Sequence, residues 1–474
     1  MPNILPVLPE IFLLSMTCLT LVIGLYWKRN REGVVYLLSQ ISLVGTAMAL
    51  WGVYPVQAEF TFNGHFVNDQ MGAVLNIFIC LSAAIVFLYS KDYLEDRGLN
   101  KSEYYVLGLF AVLGMMIMVS GNTMLVIYLG LELLSLSLYA LVAFDRDNKM
   151  ASEAAIKYFV LGSVASAMLL YGMSLIYGVV GSLELQTIAE NVGKQPDLGL
   201  VLSLGVVFIV VGVAFKLGAV PFHMWLPDVY EGSPTAVTLF IGSVPKLAAF
   251  ALVMRLLVDG LGSLAEQWQP MLIVLAVASI GIGNVVAIAQ VNIKRMLAYS
   301  TISHVGFILL GIIAANKAGY AASMFYTIVY TIMAIGAFGL LLLLSRKGFE
   351  VENLSDLKGL SERNPWYALL MLILMFSMAG VPPTVGFAAK FAVLDAVVSV
   401  GYTWLAVVAV FFSVIGVFYY LRIIKLMYFD APEDEHEIHV KIDAQVVFSL
   451  NGLAVLMLGL FPSKLLSWCQ MSIG

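Results

Sequence analysis

Apolar residues along this chain come in long unbroken runs rather than in alternation with polar ones. Fourteen such runs lie at 4–27, 34–55, 71–90, 104–121, 122–144, 151–179, 199–220, 234–254, 269–290, 292–315, 319–345, 365–399, 402–429 and 444–463. An α-helix needs about 20 residues to cross roughly 30 Å of hydrocarbon, and most of the runs have about that length. Strands of a membrane barrel would instead show about 10 alternating residues each. The pattern therefore predicts an all-α membrane protein with about 14 transmembrane helices, a single polytopic domain over residues 1–474.

Two of the runs resist a single straight helix. Span 12, at 365–399, is long and contains AGVPPTVG, and span 7 ends in FKLGAVPFHMWLPDVY. Proline removes an intrahelical hydrogen bond and clashes with the preceding turn. Backbone groups freed at membrane depth persist only when buried in protein or facing a water-filled cavity. Spans 7 and 12 are thus predicted to be broken, with span 7 resuming as helix beyond Pro221. A broken helix in each half of a chain is a mark of duplicated transporter folds. Laying AVPFH over GVPPT, however, sets Lys216 opposite Ser377, so the pattern suggests a similar architecture rather than a legible repeat.

Composition supports the membrane reading: 61% of residues are hydrophobic, 12% are charged and mean hydropathy is +0.94, far from soluble domains. The basic residues supply orientation. With loop 1–2 on the cytoplasmic side, the odd-numbered loops hold 17 of the 25 Lys and Arg, while the even-numbered loops and termini hold Lys194, Arg255, Lys317 and Lys464. That bias predicts both termini on the outer side. The first run has no basic residue before it and is followed by Lys28, Arg29 and Arg31, so it reads as a retained helix. Cys18, Cys80 and Cys469 form no C-x-x-C pair and indicate neither a metal site nor a disulfide framework. The net charge of −5 owes something to DAPEDEHEIH after span 13, a solvated face.

Four lysines remain inside the runs: Lys157, Lys216, Lys246 and Lys390. Each would cost about 2.5 to 3.5 kcal/mol at the bilayer centre. Snorkelling or a fixed ion pair is the plainest account, and Lys157, one turn after Glu153, fits it best. Lys246 lies about 12 residues from the inner loop, roughly 18 Å deep. Lys216 falls near mid-depth when span 7 resumes past Pro221, and Lys390 follows the break in span 12.

Acids and histidines complete the polar set. Glu132, in LGLELLSLSLY, lies deep in span 5. The short loop DRDNKM makes spans 5 and 6 a hairpin, so Glu132 is expected to approach Lys157 despite a depth difference of about 9 Å. Glu10 and Asp395 also fall in apolar runs. His304, in STISHVGF, sits among Ser300, Thr301 and Ser303 and reads either as a satisfied core residue or as a proton relay. His223 follows the break in span 7, at the cytoplasmic approach. Lysine suits proton handling because burial disfavours its charged form and a nearby carboxylate restores it. Arginine cannot lose its proton in the same way.

The strings FKLGAVPFHMWLPDVYEGSPTAV, NIKRMLAYSTISHVGF and AGVPPTVGFAAKF resemble the subunit N family of the proton-pumping NADH-quinone oxidoreductase, respiratory complex I. The resemblance runs from about span 3 to span 13. It implies two inverted five-helix bundles, spans 4–8 (104–254) and 9–13 (269–429), each with a half-channel and a broken helix. It further implies that Glu132 and Lys157 form a pair, that Lys216 is the central lysine of span 7 and that Lys246 connects the bundles. His304 then relays protons and Lys390 is the lysine of broken span 12, with Glu103 a further family acid. Pro245 departs from the pattern, since a small polar residue is expected before Lys246.

The resemblance also implies coupling of electron transfer from NADH to quinone with proton transfer across the membrane. This chain offers no redox machinery: GIGNVV at Gly281 lacks the third glycine of a dinucleotide fingerprint, and neither a P-loop nor a cysteine cluster is present. NADH, FMN, iron-sulfur clusters and quinone are accordingly assigned to partner subunits and no cofactor to this chain. The expected partners are a neighbouring antiporter-like subunit, small K-type and J-type subunits and the lipid bilayer, without nucleic acid, in a bacterial inner membrane. The alternative is a subunit of a multi-subunit cation/proton antiporter without redox activity. A free-standing permease would need a midplane pocket that the sequence does not display, and a pure scaffold leaves four deep lysines unexplained.

Overall fold

The computed structural model describes residues 3–193, 199–433, 436, 438 and 440–474. Lys194 and part of the acidic stretch after span 13 lie outside the described residues. In chain order the main helices are α1 (Leu8–Tyr26), α2 (Arg31–Gly52), α3 (Gln70–Asp96), α4 (Ser102–Ser120), α5 (Met124–Val142), α6 (Lys149–Val180), α7 (Leu200–Leu217) and α8 (Trp225–Gly232). They continue with α9 (Thr235–Gly260), α10 (Ala265–Ile288), α11 (Ile293–Ile313), α12 (Lys317–Leu344), α13 (Pro365–Ala379), α14 (Val385–Ser399), α15 (Thr403–Phe429), α16 (Ile442–Leu460) and α17 (Pro462–Ile473).

Thirteen helices are long and apolar enough to cross a membrane, and Pro365–Ala379 is a shorter apolar one. With span 12 divided between α13 and α14, the protein is an all-α membrane protein of about 14 spans. A small hairpin, β1 (Glu59–Thr61) with β2 (Phe66–Asn68), fills loop 2–3, pairing Glu59 with Asn68 and Thr61 with Phe66.

Local chemistry sets the helix starts. Asp69, Thr123, Asn148, Asn292, Asn316 and Asn364 each accept a hydrogen bond from a first-turn backbone N–H, the usual way to satisfy the orphan donors there. Helices α9, α11 and α12 are almost wholly enclosed by the rest of the chain. Two helix pairs approach backbone to backbone: a Cβ on Gly114 of α4 would meet Leu134 N of α5 at 2.5 Å, and one on Gly283 of α10 would meet Ser303 N of α11 at 2.7 Å. Small residues permit this close packing in membranes. Pro245 does not stop α9, because Val244 keeps helical dihedrals of −60° and −45°.

The charge count changes in two places. Arg255, expected in an outer loop, is buried in a π-helical last turn of α9 (Met254–Gly260), where it pairs with Asp69 at 2.7 Å and Asp259 at 3.0 Å. Lys294, expected in an inner loop, is 3% exposed and donates to Ser233 O at 3.1 Å.

Near Lys294 a second polar group ties three loops together. Glu350 accepts from Tyr93 Oη at 2.8 Å, from Arg97 Nε at 3.0 Å and from the Thr235 hydroxyl. Burial pushes the Glu350 carboxyl up, but Lys294, Arg97, Thr235 and Tyr93 together hold it below its ordinary value of 4.5. A depressed carboxylate contributes stability at neutral pH that is lost as pH falls below that ordinary value. Glu350→Gln is expected to lower stability by about 2 kcal/mol, the scale of a buried hydrogen-bond set to a charged group. Thermal unfolding at neutral pH checks this, and the difference from the parent should shrink in acid.

Candidate functional site

Both broken helices end in the same way. Gly218, at φ +83°, closes α7 by donating to Ala214 O and Phe215 O, and Gly380, at φ +87°, closes α13 by donating to Phe376 O and Ser377 O. Glycine is the residue that takes this left-handed position at a helix end without strain. Three residues after each glycine comes a cis proline, Pro221 and Pro383. The structural register therefore sets Gly218 against Gly380, Pro221 against Pro383 and Lys216 against Met378, one residue away from the AVPFH and GVPPT pairing, which matches Pro221 with Pro382.

A lysine sits on each broken end. Lys246 Nζ donates to Leu217 O, the last carbonyl of α7, at 2.7 Å. Lys390 Nζ donates to Ala379 O, the last carbonyl of α13, at 2.9 Å and to Ser413 Oγ at 2.8 Å. Helix C-termini carry a partial negative charge, so each cation has found a dipole instead of a carboxylate. Lys246 is 2% exposed and also faces the Trp225 ring at 5.9 Å, while Lys390 lies 5.1 Å from the Phe307 ring centre. A cavity of about 240 Å³ adjoins Lys390 and Ser413.

Gly380→Ala tests this arrangement. The added methyl would lie 2.8 Å from Lys390 Cδ, and the left-handed backbone adds about 1 to 2 kcal/mol for a residue with a Cβ. The expected outcome is an assembled protein that is less stable by at least that amount, with Lys390 displaced from the Ala379 carbonyl. Thermal unfolding measures the loss.

Lys216 occupies the middle of the first half. Its Nζ donates to Ser135 Oγ at 3.0 Å, and it lines a cavity of about 10 Å³, room for about one water. Glu132, one turn before Ser135 on α5, accepts from the Ser166 hydroxyl, and Ser166 lines the same cavity. Glu132 thus faces Lys216 across a pair of serines.

The expected approach of Glu132 to Lys157 is not found. Lys157 Nζ instead pairs with Glu153 at 2.9 Å and with Asp228 at 2.9 Å, and Asp228 also binds Arg295 at 2.8 Å. Arg295 reaches Glu231 of α8 as well, at 2.8 Å. The reason is geometric: α8 folds back past the N-terminal end of α6 and offers a closer carboxylate than Glu132. Lys157, Asp228 and Glu231 line a cavity of about 190 Å³ beside that end of α6.

His304 stands in a hydroxyl network in the second half. Its Nδ1 lies 2.8 Å from Tyr326 Oη and its Nε2 3.2 Å from Tyr420 Oη, which in turn lies 2.5 Å from Ser300 Oγ. Tyr330 Oη donates to Gly242 O, one turn before Lys246, and touches Thr301 Oγ1 at 2.7 Å, one turn before His304. The His304 and Tyr330 rings are 5.2 Å apart. Tyr330 therefore links the two halves, joining the turn before Lys246 to the turn before His304.

Two candidates lie apart from these groups. Glu103 is exposed in the first turn of α4. His223 lies in the break between α7 and α8, its ring 6.5 Å from Tyr299 and its Nδ1 without a hydrogen-bond partner among the described residues. Sequence reasoning missed Asp228, Arg295, Ser135, Ser166 and the three tyrosines around His304. Of these only Tyr326 and Tyr330 left a signal, two hydroxyls at helical spacing in an otherwise apolar run. Among the described residues no group of three or more His, Cys, Asp or Glu is placed to hold a metal ion.

Residues 121–416 match the family described as NADH:quinone oxidoreductase/Mrp antiporter, TM. NADH-quinone oxidoreductase subunit N of Thioalkalivibrio sulfidiphilus is 59% identical, covering 98% of this chain and 97% of that protein; its counterpart from Nitrosomonas europaea is 55% identical over the same shares. Among solved structures, a chain of respiratory complex I from Thermus thermophilus with bound aureothin superposes with a TM-score of 0.83 at 30% identity, covering 97% of this chain and 98% of that one. A chain of the Mrp complex from Dietzia sp. has the same fold, with a TM-score of 0.80 at 20% identity over 99% of this chain and 96% of that one. The long identity over full length joins this chain to its redox-linked relatives, and it belongs to the NADH-quinone oxidoreductase subunit N family, within the NADH:quinone oxidoreductase/Mrp antiporter membrane proteins.

Proposed function

We propose that this multi-pass protein is the proton-translocating membrane subunit N of an NADH-quinone oxidoreductase, with the other membrane subunits of complex I as its partners. The observation that carries the reading is the pair of buried lysines, each seated on the last carbonyl of a broken helix. A lysine held by a dipole and hydroxyls, with no carboxylate locked onto it, can lose and regain its proton when a neighbouring charge changes. Lys216, Lys246 and Lys390 would be the carriers, Glu132 the acid that biases Lys216, and His304 with its tyrosines the link between the halves. Hydroxyls both donate and accept, so Tyr330, Tyr326 and Tyr420 can pass a proton on.

Lys157 would hold the inner entrance through its ion-paired neighbours, with His223 nearby in the chain. Glu103, on the surface, would act only on that approach. The two bundles would comprise 104–254 and 269–429, related by inversion, as their matching helix ends suggest. Electrons, NADH, FMN, iron-sulfur clusters and quinone would be handled by partner subunits, with an antiporter-like subunit and small K-type and J-type subunits as immediate neighbours. The excess of basic residues in the odd-numbered loops supports both termini on the periplasmic side of a bacterial inner membrane.

Gentle detergent extraction of the tagged protein tests the reading through particle size and NADH:quinone reductase activity. A many-subunit particle with that activity is expected. A small, redox-silent particle showing sodium-dependent proton flux would transfer the lysine row to a cation/proton antiporter.

A further inference from the structure

The lysine row leaves one deep carboxyl unused. Glu10 of α1 is 6% exposed and points into a cleft closed by α3 and α4. Ser120 Oγ donates to Glu10 Oε1 at a long 3.4 Å, and Asn76 Nδ2 donates to Ser120 Oγ at 3.2 Å. Glu10 Oε2 and Asn76 Oδ1 are both buried and both without a hydrogen-bond partner among the described residues. Two orphaned acceptors in one cleft lack a donor, and no ion pair to Glu10 is found among the described residues. A bare carboxylate would be costly in such a place, whereas an acid O–H supplies the missing donor.

The site lies close to water at the face opposite the basic loops. Val119, next to Ser120, gives its carbonyl to Arg255 Nε at 2.9 Å. Gly72, one turn before Asn76, donates its backbone N–H to the carboxylate of Asp69, which pairs with Arg255. The side chains of Asp69 and Asp259 are 21% and 37% exposed. The buried Cys80 thiol of α3 is a further ionisable group near Glu10.

We propose that Glu10, Asn76 and Ser120 form a second proton-binding site, in which the Glu10 carboxyl carries a proton that exchanges with water at the face opposite the basic loops. The site is separate from the lysine row, and its failure would leave that reading standing. Infrared difference spectra of the whole complex, wild type minus Glu10→Gln, at neutral pH in H2O and D2O, test it. A carboxylic-acid carbonyl band present only in the wild type, and moved to lower frequency in D2O, is expected. Absence of that band, or its indifference to D2O, would overturn the proposal. Asn76→Leu provides an independent check should the glutamine variant fail to assemble. Removing the acceptor of the acid proton weakens its hydrogen bond, so the same band should move to higher frequency, and an unmoved band would exclude Asn76 as the partner and overturn the site.

Discussion

An assembled complex carrying Lys216→Arg is expected to lose proton transfer through this subunit by about a hundredfold or more, the lower end of what a positioned proton donor contributes. Arginine keeps the positive charge but cannot be deprotonated at any working pH. The substitution therefore separates a mobile proton from a fixed charge. Lys216 has the surroundings a carrier needs: Ser135 Oγ at 3.0 Å, a cavity with room for about one water, and Glu132 beyond a pair of serines. Lys216→Met, of similar length and without charge, should give the same loss. The measurement is the ratio of protons moved to NADH oxidised in reconstituted vesicles, after native gels establish assembly. Wild-type ratios in both variants would remove Lys216 from the path. Loss in the methionine variant with normal transfer in the arginine one would make it a fixed charge.

Much of this arrangement was legible in the sequence because membrane burial leaves a coarse signal. Run length set the helix count, and a lysine deep in an apolar run has few innocent explanations. The breaks in spans 7 and 12 followed from Gly and Pro together. The finer register did not follow, because span 12 carries two consecutive prolines and the string match took Pro382, whereas the left-handed Gly380 that ends the helix sets Pro383 against Pro221. Gly218 and Gly380 align, and each break then has its lysine on the preceding carbonyl, from α9 in one half and from α14 in the other.

Ion-pair partners were the least legible part. Lys157 and Asp228 are 71 residues apart, and only the return of α8 toward α6 brings them together. Spacing within one hairpin pointed to Glu132 instead, since it saw only α5 and α6. The hydroxyls around His304 were hidden for another reason: Tyr326, Tyr330 and Tyr420 lie on two different helices, where tyrosines read as ordinary core. Lys294 and Arg255 were assigned to water because each stands at the edge of an apolar run. The structure carries the helices across those edges and buries both.

Arg255 gives the largest expected effect on stability. Its guanidinium makes two hydrogen bonds to Asp69, at 2.7 and 2.8 Å, one to Asp259 at 3.0 Å and one to Val119 O at 2.9 Å. One side chain thereby joins the N-terminal end of α3 to the C-terminal ends of α4 and α9. Arg255→Leu would strand two carboxylates beside a buried carbonyl, and breaking a buried pair from one side costs about 3 to 5 kcal/mol. Asp259→Asn should cost far less, about 1 kcal/mol or below, because Asp259 is the more exposed partner and Asp69 keeps the bidentate contact. Combining Arg255→Leu with Asp69→Asn and Asp259→Asn should recover part of the loss, since no unpaired charge is left. Thermal unfolding of the purified complex, followed by the release of this subunit on native gels, measures all three. Equal losses for Arg255→Leu and Asp259→Asn would mean that burial at this face does not set the strength of the pair. Recovery in the triple variant would instead place the cost in the stranded carboxylates rather than in the arginine's packing.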